Sequence, residues 1–266
     1  MNSNQDKIFE MYSDGTKEDA RAMRSRTSAL EFYYTKKHLD SYITKGSRML
    51  EVGCATGYYG MYYTDKSREY VGIDLCPQHI EIFKRKISEN NLKNVTCSVG
   101  DATKLDGIAD GSFDVVLCLG PMYHLPPEER DKVFDECVRV CKSNGTLAFA
   151  YINTIGVYAG ACVVFGERYP NEKANNALLI RGHDDLRPDT LFFMTPEEIN
   201  ADAGKHGLIK LKNLGTEFYI TMGIVDNMND EQFEVMRPLY DRMTSHESCT
   251  GMANHALLIC KKAQQG

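Results

Sequence analysis

Glu51-Val52-Gly53-Cys54-Ala55-Thr56-Gly57 places one acid ahead of three small residues at alternate positions, directly after the apolar pair Met49-Leu50. Small residues at 53, 55 and 57 let a ligand approach the backbone. The amides that open the following helix add a positive end. A phosphate is a poor candidate for that ligand, because the acid would repel it. The glycine spacing agrees: a dinucleotide loop needs G-x-G-x-x-G, whereas counting from Gly53 the chain has Ala55 and Tyr58. A carboxylate at Glu51 suits a cationic group instead. Two more acids follow apolar runs, Asp74 after Val71-Gly72-Ile73 and Asp101 after Val99-Gly100. Such carboxylates accept strong charge-assisted hydrogen bonds. Farther on, Tyr123, His124 and His255 offer groups that can donate, accept or hold a proton.

These residues need a frame that brings them together. Strand patterns are expected at 48–53, 69–74, 94–99, 113–119, 146–152, 208–214 and 254–260, and helices at 28–42, after the first strand through about 63, at 77–89 and at 128–141. Pro77 stands in the first turn of its helix. Strands that alternate with helices predict a parallel sheet covered on both faces, wound through right-handed crossovers. The expected fold is therefore α/β, a doubly wound, mostly parallel, seven-stranded Rossmann-like sheet. Ligands bind such sheets at the carboxyl ends of the strands, where Glu51, Asp74 and Asp101 fall.

After Asn153 the rhythm breaks. Residues 155–194 are irregular and rich in aromatic, Asn and Gly residues, and they read as a cap inserted over the ligand edge. Regularity returns at Thr195-Pro196-Glu197-Glu198, a capping box that opens a helix. Gly207 is expected to end it, and a further helix is expected at 230–243. No Pro-, Gly- or Ser-rich linker divides the chain, so residues 1–266 are expected to form one domain, with 1–45 as a helical cover.

With the elements in place, the motifs carry a resemblance. Glu51-Val52-Gly53-Cys54-Ala55-Thr56-Gly57 after a strand is similar to the first motif of the class I S-adenosylmethionine-dependent methyltransferases, in particular small-molecule enzymes of bacteria. Val71–Asp74 resembles the second strand of that family, whose terminal acid binds the ribose hydroxyls. Val99-Gly100-Asp101-Ala102 resembles the third, whose acid contacts the adenine amino group. Phe113–Gly120 resembles the fourth, and Arg139–Leu147 the turn into the fifth. The resemblance covers about residues 28–152. It implies S-adenosylmethionine as cofactor and Tyr34, Glu51, Gly53, Ala55, Gly57, Asp74, Leu75, Asp101, Ala102 and Leu119 as cofactor-binding residues. Tyr34 would close over the methionine end, or else pack in the core. Ala55 stands where the family more often has glycine, and its methyl is tolerable if φ stays negative. Ser143-Asn144 replaces Pro-Gly in the later turn, where Asn accepts a left-handed backbone.

Gly120-Pro121-Met122-Tyr123-His124-Leu125 follows the fourth strand, where acceptor and cofactor would meet. It differs from the Asn/Asp-Pro-Pro-Tyr/Phe of amino-methylating DNA and protein enzymes, and no Pro-Cys nucleophile is present. Small-molecule methyltransferases of bacteria carry G-P-L-Y-H-L here and a late S-N-H-L-L, which this chain matches as Ala253-Asn254-His255-Ala256-Leu257-Leu258. Tyr123, His124 and His255 are the catalytic candidates, each with a structural role as the alternative. Tyr158, Phe165, Tyr169, Phe192 and Phe193 in the cap, with Met222, Met228 and Met252 later, suit either an apolar acceptor or a packed cap.

Composition narrows the partners. A net charge of −6 argues against nucleic acid, and the basic run Lys84-Arg85-Lys86 reads as a solvated helix face. Nine cysteines without a Cys-x-x-Cys pair suggest buried free thiols in a reducing, cytoplasmic setting and no metal. Residues 143–166 lack charge, but their Asn, Gly and Thr content fits a strand, a turn and a helix at 155–166 better than a membrane span. The residues at the start of the chain show no apolar signal core. The expectation is an enzyme that methylates a small molecule. The alternatives are a methyltransferase acting on RNA or protein, or a non-catalytic or regulatory protein that binds the same cofactor.

Overall fold

Seven strands make one sheet in the order β3-β2-β1-β4-β5-β7-β6. They are β1 (Arg48–Val52), β2 (Glu69–Asp74), β3 (Val95–Val99), β4 (Phe113–Cys118), β5 (Cys141–Ile152), β6 (Leu208–Gly215) and β7 (His255–Lys262). The computed structural model describes residues 3–160, 172–183, 190–218, 221 and 224–264. β1 pairs in parallel with β2 and β4, whereas β7 runs antiparallel to both β5 and β6. Strand order reverses at β1, so the crevice for a ligand opens beyond the carboxyl ends of β1 and β4.

Strand alternation divides the core. Leu50, Val52, Val116 and Phe149 face one layer, built with α6 (Pro127–Val140), α9 (Pro196–Lys205) and α10 (Asp230–Ser245). Met49, Val115, Leu117 and Ile259 face the other, built with α4 (Tyr58–Tyr63) and α5 (Pro77–Glu89). α3 (Arg26–Leu39), capped by the Ser25 side chain, contributes Leu30 and Tyr34 to the first layer and Phe32 and Leu39 to the second. The capping box on α9 forms as expected: the Thr195 hydroxyl accepts from Glu198 N at 3.2 Å, and Thr195 N donates to Glu198 Oε2 at 2.7 Å. Gly207 follows with φ +72°, and Asn144 takes the left-handed conformation at φ +61°.

Within residues 1–45, where a helical cover was expected without bounds for its first helices, two short helices precede α3, α1 (Ser3–Met11) and α2 (Gly15–Asp19). Lys86 is not simply solvated. It pairs with Asp19 and donates to Thr56 O at 3.1 Å, tying α2 to the loop after β1. Beyond β5, α7 (Thr154–Gly160) and α8 (Glu172–Arg181) pack with Tyr123, Ile152 and Phe193 in a small separate cluster. The expected helix at 155–166 is thus α7 in its described part, and residues 161–166 lie outside the described residues. No helix among the described residues is long and apolar enough to cross a membrane. The eight described cysteines are all free, six of them buried.

Candidate active site

The loop after β1 is shaped by three residues of positive φ, Gly53 at +77°, Ala55 at +45° and Gly57 at +82°. A Cβ on Gly53 would stand 2.6 Å from the Pro121 ring, so glycine lets the β1 and β4 loops meet. Ala55 departs from expectation. Its φ is positive, a conformation that costs an L-residue about 1–2 kcal/mol. It is held there by a hydrogen bond from its amide to Asp74 Oδ2 at 2.8 Å. Gly57 is also corrected. It does not line the ligand cavity; a Cβ there would lie 2.1 Å from the Phe83 ring, so its job is close packing at the start of α4.

A cavity of about 310 Å³ lies over these strand ends. Of the expected cofactor residues, Glu51, Gly53, Ala55, Asp74, Leu75, Asp101, Ala102 and Leu119 line it. Tyr34 does not. Its ring is buried against Tyr240, with centroids 5.3 Å apart, and its hydroxyl donates to Asp241 Oδ1 at 3.1 Å. A helix shows several faces, and this tyrosine lies on the one turned to the core.

Glu51 is 1% exposed, and its Oε2 has no partner. Burial, then the charge of Asp74, pushes its pKa well above the usual carboxylate range. A cation arriving beside such a group favours its ionised form. Asp74 is 8% exposed and accepts from Ala55 N, from Cys76 N at 2.8 Å and from His79 Nδ1 at 3.1 Å. Asp101 Oδ1 accepts from Thr103 N and its hydroxyl at 2.8 Å. Gln5 Nε2, from α1, donates to Asp101 Oδ2 at 2.8 Å.

Tyr123 and His124 line the cavity beyond β4. The Tyr123 hydroxyl donates to Leu119 O at 3.2 Å, and burial raises its pKa. Burial pushes His124 down to about 4, so its ring is neutral at physiological pH. Its Nδ1 donates to Thr190 O at 3.1 Å, which fixes the tautomer, and Nε2 accepts the Tyr12 hydroxyl at 2.8 Å. Asn4 Nδ2 donates to His124 O at 2.9 Å. Both ring nitrogens are therefore engaged in holding α1 and the 190–194 segment against the β4 loop.

His255 stands behind the cavity wall, its ring 6.2 Å from that of Tyr123. Nδ1 donates to Glu217, which also accepts from Asn254 Nδ2 at 2.8 Å. Burial opposes a charge on His255, but the Glu31 and Glu217 carboxylates outweigh it and raise its pKa. Glu31 lines the cavity, and Arg21 Nη2 donates to both its oxygens at 2.5 Å. Arg21 Nη1 donates to Glu18 Oε1 at 3.3 Å. Burial would raise the Glu31 pKa, yet Arg21 and His255 prevail and lower it, so it stays ionised. Glu31, Glu217 and His255 place ligand atoms within 4.8 Å of one another, as do Asp74, Cys76 and His79. The guanidinium on Glu31 already supplies a counter-charge to the first set, and backbone amides and an imidazole engage Asp74 in the second.

Gln5, Tyr12, Glu18, Arg21 and His79 were not anticipated. Gln5, Glu18 and Arg21 sit on short helices without apolar periodicity, Tyr12 lies in the turn after α1, and His79 reads as an ordinary helix residue. The cap aromatics turn inward: Tyr158 and Phe193 join the α7–α8 cluster, Phe192 stacks on His183 at 4.4 Å, and none lines the cavity. Met228 packs on the first core layer and Met252 is exposed. Phe165, Tyr169 and Met222 lie outside the described residues.

The strand order and the acid-bearing strand ends define the class: this is the fold of the class I S-adenosylmethionine-dependent methyltransferases. Residues 49–145 match the family model described as a methyltransferase domain. Among curated proteins the chain is similar to a ubiquinone biosynthesis O-methyltransferase of Neisseria meningitidis, 28% identical over 125 residues, covering 47% of this chain and 50% of that one. It is also similar to the phosphoethanolamine N-methyltransferase of Plasmodium falciparum, 28% identical over 115 residues and covering 42% of each. In these matches the chain spans half of the relative's length or less. Among solved structures, phosphoethanolamine N-methyltransferase 2 of Haemonchus contortus, in complex with phosphomonomethylethanolamine and S-adenosylhomocysteine, superposes with a TM-score of 0.67 at 17% identity, over 99% of this chain and 61% of that one.

Proposed function

We propose that the protein binds S-adenosylmethionine in this cavity and transfers its methyl group to a small-molecule acceptor. The observation that carries the reading is Glu51, a buried carboxylate with an unpartnered oxygen in the wall of a cavity that Asp74 and Asp101 share. One cationic and two hydrogen-bonding partners are what these three acids want. The ammonium of the methionine end meets Glu51, the ribose hydroxyls meet Asp74, and the adenine amino group meets Asp101. Gly53 and Ala55 leave room at the backbone, and Leu75, Ala102 and Leu119 enclose the rings. Bound there, the sulfonium supplies an activated methyl carbon. The chain's part is to align an acceptor with that carbon and to keep water out. Residues 1–45 serve as the cover and 155–194 as a cap within a single domain. Buried free thiols favour a cytoplasmic setting.

Tyr123 forms the acceptor wall. His124 positions the cover and is not a base, since both its nitrogens are engaged, and His255 acts through Glu31. That shortage of a free base favours a second reading, a non-catalytic protein that binds the same cofactor. Production of S-adenosylhomocysteine with any acceptor removes it. The primary test is calorimetric titration with S-adenosylmethionine, S-adenosylhomocysteine and NAD in parallel. Micromolar binding of the first two and none of the third is expected. Failure of both sulfur compounds to bind ligand-free protein overturns the reading.

A further inference from the structure

We propose that the acceptor is an amine, received by the carboxylates of Glu18 and Glu31 at the methyl end of the cavity; this rests on the cofactor reading above. The first support is charge. The described cavity wall carries the carboxylates of Glu18, Glu31, Glu51, Asp74, Asp101 and Glu129, against the cations Arg21 and Lys132. At the end beside Tyr123 a single guanidinium, that of Arg21, serves both Glu18 and Glu31. One unit of negative charge is left over there. Behind them His255 is matched by Glu217, so the second row adds no positive surplus. An anionic acceptor, whether carboxylate, phosphate or phenolate, would be repelled by this wall, and a cation is attracted.

The second support is the unpartnered oxygen of Glu51, 1% exposed and in the same wall, which takes the cofactor's own ammonium and so leaves the charge at Glu18 and Glu31 unmet by it. The third is the aromatic lining. Tyr59 and Tyr123 line the cavity with the two carboxylates, and ring faces attract an ammonium, while the Phe32 ring already carries the Arg21 guanidinium 5.2 Å from its centroid. The fourth is the supply of bases. A phenol or alcohol must lose a proton as it attacks, and His124 has no free nitrogen to take it. An amine needs less help. It enters as an ammonium and gives one proton to the Glu18 carboxylate. The freed lone pair then forms the N–CH3 bond. The S–CH3 bond breaks with its electron pair going to sulfur, so the products are a methylammonium and neutral S-adenosylhomocysteine. The proton on Glu18 leaves to solvent.

The test saturates the wild-type protein with S-adenosylhomocysteine and titrates it calorimetrically with a panel of primary amines from methylamine to 2-phenylethylamine, each beside its alcohol and carboxylate analogue. At least one amine should bind tenfold or more tighter than its alcohol, and the carboxylate should not bind. Glu18→Gln should weaken that amine tenfold or more while leaving affinity for S-adenosylhomocysteine unchanged. The proposal is overturned if no amine binds, if an alcohol or carboxylate binds as well as its amine, or if Glu18→Gln leaves amine affinity intact. Absence of S-adenosylhomocysteine binding in the wild type is a separate, earlier result that removes the cofactor reading and this one together.

Discussion

Burial, then the charge of Asp74, raises the pKa of Glu51 when no ligand is beside it, and its sign with pH follows. A carboxylate whose folded pKa lies above its unfolded value supports the fold below the unfolded pKa, and that support is lost as pH rises through the folded pKa. At neutral pH the empty protein therefore bears a burden that Glu51→Gln relieves. The variant should melt no lower than wild type, yet bind S-adenosylmethionine about 1.5–3 kcal/mol more weakly, the usual loss for hydrogen bonds to a charged group. Thermal melts with and without ligand check both halves. Wild-type binding should also release protons near neutral pH, read from titrations in buffers of different ionisation enthalpy, and the Gln variant should not. Ala55→Gly tests the loop: relief of a positive φ, less the extra freedom of the unfolded chain, should stabilise by about 0.5–1 kcal/mol in urea midpoints. The acids were legible in the sequence because each ends an apolar strand run. Tyr34 was not, because the pattern of a helix gives its period and not which of two core layers each residue meets. The sign of φ at Ala55 was equally hidden, since it depends on the hydrogen bond to Asp74.

At the scale of elements, strands and their alternation with helices were readable from the central apolar runs. All seven strands fall where expected, to within a few residues at their ends. The boundary of α9 was readable from side-chain chemistry alone, because Thr195 and Glu198 satisfy each other's backbone amides. Thr195→Ala should therefore cost about 1 kcal/mol, checked by denaturant unfolding. The bounds of α1 and α2, inside the expected helical cover, were not readable, for the opposite reason. Nine and five residues long, they lack a broad apolar stripe and are held by tertiary partners such as Asp101, His124 and Lys86. Gly57→Ala should cost at least about 2 kcal/mol, combining a left-handed φ with collision against Phe83. Loss of the cofactor response without loss of fold would show instead that Gly57 meets ligand.

For the whole molecule, the question is how anything enters a cavity that its own first helix helps to close. Gln5, Ile8 and Tyr12 line the cavity, and Asn4 and Tyr12 are tied to His124. If α1 acts as a cover, loosening these ties is expected to speed ligand exchange. Tyr12→Phe removes one tie and should speed S-adenosylhomocysteine release several-fold in stopped-flow exchange, with little change in melting temperature. Deleting residues 1–14 should leave the far-ultraviolet circular dichroism of the sheet intact and speed release further. This closure was only dimly legible: residues 1–45 suggested a cover, but the hydrogen bonds that fasten it join residues a hundred positions apart.

The position of β7 has a consequence for how the chain is made. β7 follows β6 in sequence yet lies between β5 and β6, and β6 has no other strand beside it. During vectorial synthesis, β1 to β5 can assemble as they emerge, while β6 waits beside a gap of one strand's width. Only when residues 255–262 arrive is the sheet closed, and with them comes His255, which adds to the hold of Arg21 on the charge of Glu31. The nascent chain thus holds every residue that lines the cavity well before the strand that closes the sheet behind it arrives.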